Sequence, residues 1–225
     1  PFIDFSIIKK NPKIFIGFSD ITAVHLAILG ITGLVTFHGP VGISEFNPYT
    51  QSHILELLMH PQPTFTFSPA TTQGTENMAD PVYAFKTLVK GQCEGRLIGG
   101  NLTLLTSLAG TPWAPDLSNT LLFLEDIDER PYKLDRMYTQ MIESNNLNLV
   151  NGFALGIYPG CVPKEGELSM NMEEMHLDRL GNFRKPIGYG FSIGHVPNQC
   201  TLPLGINARM DADNGSITLL EPAVI

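Results

Sequence analysis

Apolar residues come in short bursts along this chain, and their spacing changes near its middle. The run Lys13–Phe18 ends in "IFIGF", a β-rich burst, and directly after it Ile21, Val24, Leu26 and Leu29 recur at mainly helical intervals. The pattern predicts a strand, a tight turn and a helix. "GLVTFHGP" reads as a second buried strand ending at Gly39-Pro40, and "HILELLM" as a short helix stopped before Pro61. Alternating strands and helices of this kind predict part of an α/β layer.

Residues 61–80, "PQPTFTFSPATTQGTENMAD", hold no sustained period and are rich in Pro, Thr, Ser and Gly, the texture of a crossing region between domains. From Gly95 onward short strands alternate with turns: "TLLFLED", "GFALGIYPG", "PIGYGFSIGH", and "ITLLEP" after an Asn214-Gly215 turn. One helix interrupts them, with Leu134, Met137, Tyr138 and Met141 at i, i+3, i+4 and i+7 and Asn145-Asn146 as its stop. The expected fold is α/β in two domains. A partial α/β domain would occupy residues 1–75, a linker 76–94, and a β-rich domain with one prominent helix 95–225.

Composition narrows the function. The formal net charge is −8 and the pI about 5.1, so no basic field exists to hold a phosphate backbone or an anionic membrane. The longest apolar stretch, Val24 to Val35, is short and interrupted by His25, Gly30 and Gly33, which excludes a membrane span. Cys93, Cys161 and Cys200 are an odd count without a C-x-x-C pair. They suit free buried thiols in a reducing, cytoplasmic compartment and offer no zinc-ligand spacing, so no metal or other cofactor is expected.

The tripeptide Gly-Phe-Ser occurs twice, at Gly17–Ser19 and Gly190–Ser192. A serine nucleophile must stand outside its sheet, beside a base, with backbone N–H groups aimed at the developing oxyanion. A sharp strand-to-helix turn does this. By letters the second copy matches G-x-S-x-G, but Gly194, His195, Val196 and Pro197 follow it and carry no helical pattern. Ser192 is expected within or at the end of a strand. Ser19 closes an apolar run and opens a helix, the required context, although Ser19-Asp20 reads equally as an ordinary helix cap.

A base and its orienter have candidates. His195 lies in a Gly-flanked segment after a strand-like run, while His25, His38, His53, His60 and His176 sit in helical, strand-end or polar contexts. The apolar run Leu121–Leu124 leads straight into Glu125, Asp126, Asp128 and Glu129. A carboxylate at the end of a buried strand can fix a histidine tautomer and stabilise its imidazolium. The same cluster reads otherwise as a solvated acidic turn. A cation site is disfavoured, because the spacing lacks the glycine-containing loop of calcium motifs.

Four blocks, "NPKIFIGFSDITAVH", "GRLIGGNLTLL", "LLFLEDIDERPYKLDRM" and "GFSIGHVPNQCTLPLG", resemble in order the LD-carboxypeptidase family of serine peptidases. That family includes murein tetrapeptide carboxypeptidases and microcin C immunity peptidases. The resemblance implies Ser19 as nucleophile, His195 as general base and Glu125 as its orienter, with the Asp20 N–H as one oxyanion donor and the site in the cleft between the domains. It implies a murein tetrapeptide as substrate, release of the terminal D-Ala, and a homodimer. Arg96, Asn101 and Arg136 lie in or near the shared blocks and are candidate substrate contacts. Trp113, the sole tryptophan, is a candidate stacking platform for an immunity-type amidase acting on a nucleotide conjugate. A third alternative is a silent murein-fragment binder. The family's earlier Arg-Gly-Gly segment, which lends a second oxyanion donor, has no counterpart here, so the sequence is expected to be a piece of a longer chain.

Overall fold

The computed structural model describes residues 2–70, 84–145 and 147–224. Two sheets form its frame. The smaller contains β1 (Ile16–Gly17), β2 (Thr36–His38) and, arriving from far along the chain, β9 (Leu202–Leu204). β1 and β2 are parallel, and β9 is antiparallel to β2. The larger sheet has eight strands. In spatial order they are β3 (Phe65–Phe67), β11 (Ser216–Leu219), β10 (Asn207–Asp211), β5 (Gln92–Asn101), β6 (Thr120–Glu125), β7 (Gly152–Leu155), β8 (Ile187–Tyr189) and β4 (Lys86–Val89).

β5, β6, β7 and β8 run parallel, and antiparallel strands flank them on both sides. Parallel neighbours need crossovers, and three helices supply them: α4 (Leu102–Leu108), α5 (Pro131–Asn145) and α6 (Met172–Leu180). Covered on both faces, a central parallel strand has no solvent side, which is why every residue of the apolar run in β6 is buried. α5 lays Leu134, Tyr138 and Met141 into the core as its spacing predicts. It is not alone, since α4 and α6 join it where one prominent helix was expected.

The N-terminal part adds α1 (Phe5–Lys10), α2 (Thr22–Thr32) and α3 (Pro48–Met59). α2 buries Thr22, His25, Leu26 and Ile28 and stops at Gly33, whose φ of 73° needs a glycine. Sheet membership crosses the expected division of the chain: β3 precedes residue 75 yet joins the larger sheet, and β9 follows residue 95 yet joins the smaller. In the stretch 76–94 expected as a linker, Lys86–Val89 form a strand and Gln92 opens another; residues 76–83 lie outside the described residues. The expected turn at Asn214-Gly215 closes the β10–β11 hairpin. Among the described residues no helix is long and apolar enough to cross a membrane.

Candidate active site

β1 delivers Ser19. The strand ends at Gly17, and Ser19–Ile21 wind a single 3-10 turn that leads into α2. Ser19 has φ of 60°, a left-handed conformation that costs a residue with a Cβ on the order of 1–2 kcal/mol. The turn is tight enough that a Cβ on Gly17 would approach Ile21 Cγ2 to 2.9 Å. Two donors hold the Gly17 carbonyl, Gly39 N–H at 3.0 Å and His25 Nε2–H at 2.9 Å. His25 thus reaches back from α2 to pin the strand that precedes the serine. Burial lowers its pKa to about 4 against the opposing effect of that hydrogen bond, which keeps it neutral. A polar residue on the buried face of α2 was the one signal in the sequence for this clamp.

Glu125 is the last residue of β6, at the carboxyl end of the parallel strands, where open α/β sheets place ligands. Its side chain is wholly buried, and its Oε2 accepts from His195 Nδ1 at 2.8 Å. His195 retains 17% exposure. Burial pulls its pKa down, but the hydrogen bond to Glu125 and the charges of Glu125, Asp126 and Asp128 more than offset this. The imidazole therefore binds its proton more tightly than a free one. With Nδ1 donating to Glu125, Nε2 is left as the acceptor that a general base requires.

The two halves meet at Phe18 and Thr22. The Phe18 ring lies 4.8 Å from the His195 ring, centroid to centroid, so the residue before the serine abuts the imidazole. Thr22, at the start of α2, accepts from Asn101 N–H at 3.0 Å, tying the serine turn to the end of β5. The loop beyond His195 is held at the start of α3, where the N-cap Asn47 Nδ2 and Thr50 Oγ1 donate to the Pro197 carbonyl at 2.7 and 3.0 Å. Asp20 is exposed and directly follows Ser19. In the first turn of a helix its N–H has no intrahelical acceptor and stays available to an anion.

Ser192 lies just past β8 rather than in a strand, 3% exposed, with its Oγ accepting from Ala70 N–H at 2.9 Å. A hydroxyl packed and bonded in this way does not meet solvent. The remaining candidates disperse. Asn101 sits beside Glu125 in register, yet its Oδ1 caps α4 through Leu104 N–H and its Nδ2 donates to Asp126 at 3.2 Å. Arg96 pairs with Thr120 midway along β5, where β6 begins, five residues and about 17 Å along the strand from Asn101. There it lines a cavity of about 420 Å³ with Trp113 and Asp116. Arg136 is exposed on α5, its guanidinium 5.3 Å from the Tyr132 ring centroid. The three cysteines are unpaired, with Cys161 and Cys200 buried.

Comparison with known proteins places this geometry in context. The family model described as LD-carboxypeptidase C-terminal domain matches residues 94–210, and that described as LD-carboxypeptidase N-terminal domain matches residues 1–39. A probable murein peptide carboxypeptidase of Bacillus subtilis is 40% identical over 93% of this chain and 63% of its own length. The microcin C7 self-immunity protein MccF, solved in complex with aspartyl sulfamoyl adenosine, superposes with a TM-score of 0.85 at 29% identity, over 100% of this chain and 72% of that one. A muramoyltetrapeptide carboxypeptidase from Oxalobacter formigenes superposes with a TM-score of 0.74 at 31% identity, over 96% and 70%. The chain spans 63–65% of the length of three curated relatives.

Proposed function

Because the chain belongs to the LD-carboxypeptidase family, we propose that it carries the Ser-His-Glu machinery of a serine carboxypeptidase that removes the terminal D-Ala from murein tetrapeptides. The observation that carries this reading is a strained serine, at φ of 60° on a strand-to-helix turn, whose neighbour Phe18 lies against a histidine held at 2.8 Å by a buried glutamate. Ser19 Oγ attacks the scissile carbonyl while His195 Nε2 takes its proton. Glu125 stabilises the resulting imidazolium, and the Asp20 N–H faces the oxyanion. The imidazolium then protonates the leaving amine of D-Ala. Water, deprotonated by His195, hydrolyses the acyl-enzyme and frees Ser19. No cofactor enters these steps. The unpaired thiols suit a cytoplasmic location.

The test incubates the protein with L-Ala-D-Glu-L-Lys-D-Ala and its diaminopimelate counterpart, with Ser19→Ala alongside, and follows loss of D-Ala by mass spectrometry. Loss with wild type alone is expected, and an active Ser19→Ala protein would overturn the assignment. A second reading, an amidase acting on an aminoacyl nucleotide conjugate, is favoured by the likeness to an immunity protein that binds aspartyl sulfamoyl adenosine. It predicts cleavage of such conjugates and none of the tetrapeptides. A fluorophosphonate probe separates both from a silent binder, which would leave Ser19 unlabelled.

A further inference from the structure

Three ring contacts, one shared strand face and the Glu125–His195 hydrogen bond link five residues around the imidazole. Phe18 meets the His195 ring at 4.8 Å and 67°. The same Phe18 ring meets His38 at 6.3 Å and 67°, and His38 meets Phe123 at 5.2 Å and 74°, all edge-to-face. Phe123 stands two residues before Glu125 on β6, so both side chains leave the same face of that strand. Glu125 returns to His195 through their hydrogen bond and closes the loop.

His38 is the unusual member. It is fully buried, and neither ring nitrogen has a hydrogen-bond partner among the described residues. Burial, with smaller contributions from His25 and His195, lowers its pKa to about 3, so it sits as a neutral ring. Unpartnered buried nitrogens are costly and call for an explanation. Here the ring contributes shape, filling the space between Phe18 and Phe123.

A single hydrogen bond fixes one point of an imidazole and leaves the plane free to swing about that bond. An aromatic ring against it fixes the plane. We propose that Phe18, backed by His38 and Phe123, is a positioning residue that locks the His195 ring so that Nδ1 stays on Glu125 and Nε2 stays free for Ser19. Phe18 directly precedes Ser19, so one residue sets the register of nucleophile and base together. This inference rests on the reading of His195 as the base for Ser19.

The experiment compares Phe18→Leu, His38→Ala and His38→Phe with wild type in the full chain. Long-range 1H–15N NMR reads the tautomer and titration of His195 without any substrate, and the rate of fluorophosphonate labelling reads Ser19. The charged groups facing the imidazole, Glu125, Asp126 and Asp128, stay in place in every variant, so a change reports ring position. Phe18→Leu and His38→Ala are expected to mix the His195 tautomers, lower its titration point and slow labelling by about tenfold to a hundredfold. His38→Phe, which restores the ring, is expected to behave as wild type. Folded Phe18→Leu with wild-type tautomer and labelling would overturn the proposal. Should that variant fail to fold, wild-type behaviour of His38→Ala overturns it equally. A wild type whose Ser19 refuses the probe would sink the carboxypeptidase reading alone, because the NMR comparison still decides the role of Phe18.

Discussion

Gly194→Ala tests the site at its tightest point. Gly194 has φ of 96°, a conformation that side chains rarely adopt, and a Cβ there would overlap Glu125 Oε2 and stand 2.7 Å from Cγ and 2.8 Å from Cβ of the same residue. Glu125 cannot retreat, since it is wholly buried and Gly156, just past the end of β7, presses against it, where an added Cβ would lie 3.1 Å from Glu125 Cβ. The added methyl must therefore displace the carboxylate from His195. Backbone strain costs about 1–2 kcal/mol, and loss of a charge-assisted hydrogen bond about 1.5–3 kcal/mol. If the bond is worth the same to the transition state, the rate falls roughly tenfold to a hundredfold or somewhat more.

The pH profile gives the mechanism a second handle. In the proposed mechanism His195 acts as a base only when neutral, so the labelling rate of Ser19 is expected to rise as pH passes upward through its pKa. In the wild type that pKa is raised because Glu125, Asp126 and Asp128 outweigh burial. With the Glu125 bond gone and burial retained, the acid limb moves to lower pH while the plateau falls. The assay is fluorophosphonate labelling between pH 5 and 9, with urea unfolding to score stability. Gly30→Ala is the control: among the described residues nothing lies within 4 Å of a Cβ on this residue of α2, so the change should keep the rate and add about 0.5–1 kcal/mol of stability. A folded Gly194→Ala protein with wild-type plateau and acid limb would refute the role given to the Glu125–His195 pair.

Other outcomes follow from the same geometry. Ser192→Ala removes the acceptor of the buried Ala70 N–H and should cost about 1–3 kcal/mol in urea unfolding while leaving Ser19 labelling unchanged; a large drop in labelling would make Ser192 part of the chemistry. His176 is fully buried among Tyr138, Tyr158 and Tyr189, and burial lowers its pKa to about 3. The unfolded chain binds that proton near pH 6.5, so the stability contributed by neutral His176 is present above that value and is lost as pH falls. Between pH 7 and 5 the loss is about 2 kcal/mol, and a folded His176→Phe protein should show an acid dependence weaker by that amount in urea titrations at the two pH values.

The legible parts of the candidate site are those whose placement is local. Ser19 needs an apolar run before it and a helix after it, and Glu125 needs a buried strand to end on it; both conditions stand within a dozen residues of sequence. Ser192 shows the limit, since its letters fit a nucleophile motif while its environment, set by Ala70, is remote in sequence. Arg96 and Asn101 show another. Both lie in one block, yet five residues of strand separate them, one lining the cavity of Trp113 and the other capping α4.

What pattern alone withholds is the pairing of distant strands, and the site depends on one such pairing. The chain leaves β8, presents His195 and then enters the smaller sheet as β9, where Leu202 pairs with His38. On the other side of β2, Gly17 pairs with the same His38, one residue before Phe18. His38 is therefore the register point shared by the strand that leads to Ser19 and the strand that follows His195. A slip of one residue in either pairing would turn alternate side chains to the opposite face and separate Phe18 from His195. The passage of the chain from β8 to β9, which makes a domain boundary hard to draw on the sequence, is also what brings His195, held by the larger sheet, against Phe18, which follows a strand of the smaller.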